Sequence, residues 1–353
     1  MNRFVKRYLI DALGGMALGL FSTLIIGLIL KQIGSFFPDA LPGRFLIQLG
    51  QLVTILTGAG IAAGVAHSLG APRLVLYASL LNGLVGAYAG RFLSGALFSA
   101  NGVLLSGPGD PMGALVAALA GAEIGCLVAG KTKIDIILAP AVTILSGSVV
   151  GALLGPPLAG GSIALGGIIR YATELQPFWM GIVISVAMGL FLTLPISSAA
   201  IGIILGLSGI AAGAATAGCA AQMVGFAVIS FRDNRLNGLF AQGLGTSMLQ
   251  MPNIIRNPLI WVPPTVASAI TGPLATMVFE LKNLPAGSGM GTSGLVGPLL
   301  AWQAMRADGA GVGSVLVAII LICVVLPAVL SYAAYAAMRA RGWIKDGDMR
   351  LGS

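Results

Sequence analysis

The chain has 353 residues, of which 57% are hydrophobic and only 8% charged. Soluble domains carry about 25% charged residues, so this chain cannot cover a water-facing surface and a soluble globular fold is excluded. Its 52 glycines follow no G-X-Y period and alternate with apolar runs, which excludes collagen and disorder. What remains is an all-α polytopic membrane protein, a single integral membrane domain over 1–353. Unbroken apolar runs such as 311–330 favour helices over the weak alternation of a barrel.

The N-terminus carries a basic group, Arg3/Lys6/Arg7, before an apolar stretch at 9–30. That stretch is too long for a signal h-region and lacks a clear cleavage site, so it reads as a retained first span with a cytoplasmic N-terminus. Further spans, at about 20 residues each, are expected at 46–69, 74–95, 112–130, 134–155, 178–205, 208–230, 236–253, 259–281 and 311–338. Ten spans return both termini to the cytoplasm, and Lys131/Lys133 and Arg339/Arg341 then obey the positive-inside rule. Arg232/Arg235 do not, because 231–235 falls outside under this count. Two glycine-rich segments, 156–171 and 285–303, would mend it as extra crossings, giving twelve spans. Both are short for a crossing, and re-entrant or surface segments are the preferred reading. The first half is then 1–155, a linker or re-entrant segment 156–177, and the second half 178–353.

Small residues four apart let helices approach closely in lipid. The pattern recurs at Gly15/Gly19, Gly60/Gly64, Gly86/Gly90, Gly121/Gly125, Gly147/Gly151 and Gly209/Gly213, as expected of a compact carrier. Gly60-Ile61-Ala62-Ala63-Gly64 returns as Gly209-Ile210-Ala211-Ala212-Gly213, and Asn82-Gly83-Leu84 as Asn237-Gly238-Leu239. This is either chance in a Gly/Ala-rich chain or the trace of two inverted five-helix halves.

The net charge of +8 is scattered between apolar runs and argues against a nucleic-acid partner. Cys126, Cys219 and Cys323 lie in separate spans without a CxxC, and His67 is the one histidine, so ligands for a metal or haem site are lacking. No cofactor and no metal are expected. No nucleophile–base set can be assembled, and Gly287–Gly294 lacks the Gly-Lys-Ser/Thr ending of a phosphate loop, so no enzyme activity is expected.

The stretch 253–297 is the richest in polar chemistry. Pro258, Pro263, Pro264, Pro273 and Pro285 break helices and free carbonyls, tolerated at membrane depth only where buried in protein or lining a wet cavity. Asn253, Asn257, Thr265, Ser268, Thr271, Thr292 and Ser293 add neutral hydrogen-bonding groups, suited to hydroxyl-rich solutes. The alternative is a kinked helix with an external loop. A second break at Pro195-Ile196-Ser197-Ser198 reads either as a hinge or as a proline kink. Ionisable residues near membrane depth are Asp11, Arg91, Glu123, Arg170, Glu174 and Glu280. Glu123 is the most expensive to bury, with Arg91 as candidate partner, and Glu280 ends the proline-broken helix.

At 257–298, with Gly130-Lys131-Thr132-Lys133-Ile134-Asp135-Ile136-Ile137 and Leu194-Pro195-Ile196-Ser197-Ser198-Ala199-Ala200, the chain resembles a known family. It is similar to the EIIC-like membrane components of the bacterial sugar phosphotransferase system, in the branch that includes the perfringolysin regulator. The resemblance covers nearly the whole chain. It implies a bacterial inner-membrane protein, a homodimer, that moves a small polar solute such as a sugar or polyol by alternating access. Phosphotransfer groups in such relatives sit on separate domains or proteins. Relatives that phosphorylate sugar tend to place a Glu and a His in the site; Glu280 could take the first part, whereas His67 lies in an early span. The expected site is lined by Asn257, Thr265, Ser268, Gly289, Thr292 and Ser293, with Glu280 and Glu123 reading the solute and Pro195, Ser197 and Ser198 as hinge. A membrane-embedded solute sensor that regulates without transport is the alternative.

Overall fold

The computed structural model describes residues 4–351 apart from 101, 133 and 174. The readings made above for Arg3, Lys133 and Glu174 lie outside the described residues, as does the side chain of Arg170. The described chain is helical, apart from a two-residue hairpin pairing Phe98–Ser99 (β1) with Gly102–Val103 (β2). The helices are α1 (Lys6–Gly34), α2 (Leu41–Ile55), α3 (Thr57–Ser68), α4 (Arg73–Ala87), α5 (Pro111–Val128) and α6 (Asp135–Ala172). They continue as α7 (Pro177–Thr193), α8 (Ser198–Ile204), α9 (Gly209–Ile229), α10 (Phe231–Phe240), α11 (Met251–Arg256) and α12 (Val262–Pro273). Last come α13 (Pro285–Ser288), α14 (Val296–Ala307) and α15 (Val312–Ala340).

Among the described residues, five helices are long and apolar enough to cross a bilayer: the stretches Lys6–Gly34, Pro111–Val128, Asp135–Gly161, Gly209–Ile229 and Val312–Ala340. α2 and α3 add a sixth if taken as one span bent by 52°. α4 and α7 are apolar but shorter. The ten spans expected are not all matched by helices of full length, and segment 156–171 is the C-terminal part of α6 rather than a separate loop.

The chain forms two compact units, Met1–Gly161 and Ser162–Ser353. In the first unit, glycines bring backbones together. A Cβ on Gly19 would sit 2.1 Å from the Gly60 carbonyl oxygen, and one on Gly64 would sit 2.0 Å from that of Gly15, so α1 and α3 touch main chain to main chain. Gly86 meets Gly113 in the same way across α4 and α5. Gly121 and Gly147 instead make room for the buried Asn82 amide, whose Nδ2 donates to the Thr143 carbonyl at 2.9 Å. Gly90 and Gly209 have open space around them, so those two positions do not serve packing. Asp110 caps α5 by accepting from the Gly113 N–H at 2.7 Å, and burial raises its pKa from the ordinary aspartate value.

The second unit is organised around α9, whose apolar window is 94% buried. Ala212, Ala215 and Cys219 pack with Met180, Ile184, Met188 and Phe191 of α7. Ala217 and Ala220 pack with Ala301, Val315, Ala318 and Ile322. Small residues along α9 allow this: a Cβ on Gly218 would lie 1.8 Å from the Ser185 carbonyl oxygen.

The two sequence copies occupy unlike places. Gly60–Gly64 lies within α3 against α1, whereas Gly209 starts α9 at φ +60° and bridges Asn283. Asn82 is buried and Asn237 exposed. The matching residues thus do not hold equivalent positions.

The expected eighth span, 236–253, is not a crossing. An 18-residue helix would separate its ends by about 27 Å. Here Asn234 and Gln250 both donate to the Met349 carbonyl, at 2.8 and 2.9 Å, and Asn253 donates to that of Arg350 at 2.9 Å. Both ends of the 231–257 stretch therefore lie at the same end of the unit as the C-terminal tail. Arg232 and Arg235 thus fall at the same end of the unit as Arg339 and Arg341.

Candidate functional site

Glu123 and Arg91 do not pair. Glu123 Oε1 instead accepts from Arg7 Nε at 2.6 Å, and Arg7 Nη1 reaches the Leu69 carbonyl at 3.3 Å. Both side chains are about one-third exposed, so Glu123 lies near an end of its bundle rather than at mid-depth. The hydrophobic pattern of α5 hid this because α5 ends within two turns of Glu123. Arg91 donates to Ser106 Oγ at 2.7 Å and to the Leu104 carbonyl at 2.9 Å.

The prolines of the 253–297 stretch mostly start helices rather than break them. Pro258 opens a 3₁₀ turn, Pro263 and Pro264 lie in the first turn of α12, and Pro285 opens α13. At those positions the missing N–H would be unpaired in any residue. Pro273 alone lies inside a helix, just before a π-turn at Leu274–Val278.

Asn257 serves the tail: its Nδ2 donates to Asp348 Oδ2 at 2.8 Å and its Oδ1 accepts from the Leu259 N–H at 3.2 Å. Ser268 is fully buried between α9 and α12, donating to the carbonyls of Pro264 (2.9 Å) and Gly218 (3.2 Å). Glu280 is exposed and takes φ +43°, in a turn where Lys282 pairs with Asp308 at 2.6 Å. That hydrogen bond raises the Lys282 pKa above its ordinary value.

The segment from Gly287 to Gly294 is buried and lies along α9. A Cβ on Gly291 would stand 2.7 Å from the Cys219 main chain, and its φ of +51° favours glycine. Gly289 accepts from Ser198 Oγ at 2.7 Å, and a Cβ there would collide with the Ser198 carbonyl. The Pro195–Ser198 break is real. α7 ends at Thr193 with Leu194 extended, and α8 begins at Ser198. Ser198 thus ties the break to the glycine-rich segment. Thr292 donates to the Gly243 carbonyl and lies 3.6 Å from Met223 Sδ of α9. Ser293 is 2% exposed, and its hydroxyl has no hydrogen-bond partner among the described residues.

The centre of this region is a residue not singled out above. Gln222 is 0% exposed on α9. Its Oε1 accepts from Trp261 Nε1 at 3.0 Å and from Thr193 Oγ1 at 3.4 Å, and its Nε2 donates to Thr265 Oγ1 at 3.2 Å. The Thr193 hydroxyl also shares a hydrogen bond with Ser247, at 2.8 Å. Four elements thus converge on one buried amide. A lone glutamine inside the apolar run 209–229 was the available sequence signal. Asn283 is also new. It is 1% exposed and donates to Thr216 Oγ1 (2.7 Å) and the Gly297 carbonyl (3.0 Å), clamping the segment onto α9.

A family model described as "Phosphotransferase system, EIIC" matches residues 10–351. The chain belongs to that family. It is accordingly a multi-pass inner-membrane component of sugar-type phosphotransferase transport, a permease unit whose family lacks its own phosphorylation domain. The match is to the family as a whole and not to the branch expected above. Comparisons with curated proteins and with solved structures found no match.

Proposed function

We propose that the chain carries a hydroxyl-bearing solute, a sugar or polyol, across the inner membrane by alternating access. Recognition is assigned to the second unit, to Gln222, Thr193, Ser247 and Thr265 together with Thr292 and Ser293 of the glycine-rich segment. The observation that supports this most is the buried, uncharged network on Gln222. Neutral amides and hydroxyls can exchange their mutual hydrogen bonds for those of a polyhydroxylated ligand without leaving a charge unpaired. Trp261 adds an apolar ring with a polar edge beside them.

In this reading the Pro195–Ser198 break is the hinge, because Ser198 and Gly289 link it to the segment that holds Thr292 and Ser293. Asn257, Glu123 and Glu280 are left outside the recognition set: the first two hold structural partners and the third is exposed. Both termini are placed in the cytoplasm, on the clustering of basic residues at the ends of the helices. Donors of phosphoryl groups are separate proteins.

Solute exchange in proteoliposomes, with a panel of labelled sugars and polyols, tests the proposal. One or more members should exchange saturably, and Ser247→Ala or Thr265→Val should raise the half-saturating concentration about three- to tenfold, as for loss of one or two hydrogen bonds. Folded protein that exchanges no member of the panel would overturn it.

A further inference from the structure

The charged end of the second unit carries a pocket that the transport reading does not use. α10 begins Phe231-Arg232-Asp233-Asn234-Arg235, and the C-terminal tail lies across it. The N–H groups of Gly347 and Met349 donate to the two oxygens of Asp233, at 3.0 and 3.2 Å, and the Leu351 N–H donates to Asn234 Oδ1 at 2.8 Å. Between tail and helix is an open cavity of about 640 Å³, lined by Arg232, Asp233, Arg235, Asp346, Gly347 and Arg350.

Its charges do not cancel locally. Asp233 is held by tail amides, and Asp346 is paired with Arg339 at 2.6 Å. Arg232, Arg235 and Arg350 are exposed and form no ion pair among the described residues. Three guanidinium groups therefore line one concavity, and its two carboxylates, Asp233 and Asp346, are engaged by the tail amides and by Arg339. Arg235 moreover has φ +54° and ψ −150°, a region that essentially only glycine occupies. An arginine in that place, where glycine would fit without strain, points to a use for its side chain.

We propose that this pocket binds a phosphate group, carried either by a soluble phosphate ester or by an anionic lipid headgroup. The forked N–H donors of arginine match phosphate oxygens in pairs, and an anion at the centre relieves the mutual repulsion of the three cations. Since Arg350 and Gly347 belong to the tail, an anion bound here also fastens the tail to α10, and folded protein gains stability with occupancy. The proposal is independent of the transport assignment.

The test uses the full chain in neutral detergent, with thermal unfolding followed during titration with inorganic phosphate and with chloride at matched ionic strength. Phosphate should raise the Tm saturably and chloride should not. Arg232→Gln and Arg350→Gln should each weaken the phosphate response about tenfold, as for loss of a charge-assisted hydrogen bond. Arg235→Gly should unfold no earlier than the native chain while losing response to a similar degree, which separates binding from folding. Lys345→Gln, outside the lining, should respond as the native chain does. Repeating the titration in nanodiscs identifies the source. Phosphatidylglycerol discs that weaken the phosphate response relative to phosphatidylcholine discs assign the pocket to a lipid headgroup, and an equal response assigns it to a soluble phosphate ester. Equal effects of chloride and phosphate, or native responses from both Arg232→Gln and Arg350→Gln, would overturn the proposal.

Discussion

A buried hydroxyl without a partner and a buried amide with several make opposite predictions. Ser293 Oγ is enclosed and unpaired among the described residues, so it contributes only the desolvation of a polar group. Ser293→Ala should leave the Tm unchanged or slightly raised, yet weaken solute exchange several-fold; a Tm loss with native exchange would make Ser293 a structural residue. Asn283 is the reverse case. Replacing it with alanine strands the Gly297 carbonyl and the Leu284 N–H, which bonds its Oδ1 at 2.7 Å. The expected cost is about 2–3 kcal/mol, read as an earlier unfolding transition in detergent. Neither residue could be ranked from sequence. Ser293 was named for its type, while Asn283 sits between two loops, and its partners Thr216 and Gly297 are far from it or across a turn.

Helix contacts in the first unit depend on the absence of side chains. α1 and α3 approach through Gly15, Gly19, Gly60 and Gly64. An added Cβ would fall within 2.5 Å of main-chain atoms at Gly15, Gly19 and Gly64, and at Gly60 it would lie 2.5 Å from the Thr23 side chain and 2.9 Å from the Gly19 carbonyl oxygen. Gly60→Ile must push the pair apart, and overpacking of this kind typically costs about 1–3 kcal/mol. Gly90→Ile, at a position with nothing within 4 Å, is the control and should unfold with the native protein. The spacing motif was visible in the sequence at both places. What spacing alone omits is which face of a helix meets a neighbour. The proline readings failed for a related reason: Pro263 and Pro264 follow a 3₁₀ turn, so they fall where α12 starts, and a list of helix breakers does not say where a helix begins.

For the molecule as a whole, composition decided the membrane class because it limits how much surface can face water. The number of crossings was not legible in the same way. A hydropathy window reads 236–253 as apolar enough to span, but Gln242, Gln250 and Asn253 within it bond to one another or to the tail about a hundred residues later. Such partners lie outside any window. Cysteines placed at the exposed positions Asn237 and Lys345 should therefore react with an impermeant maleimide from one and the same side of the membrane. Labelling from opposite sides would restore the crossing at 236–253.

The strapped tail also bears on biosynthesis. Asn234, Gln250, Asn253 and Asn257 obtain partners from residues 343–351, so a nascent chain halted before that stretch leaves this row of amides exposed. The polar end of the second unit can therefore close only once residues 343–351 have left the ribosome, well after the helices they strap have been made.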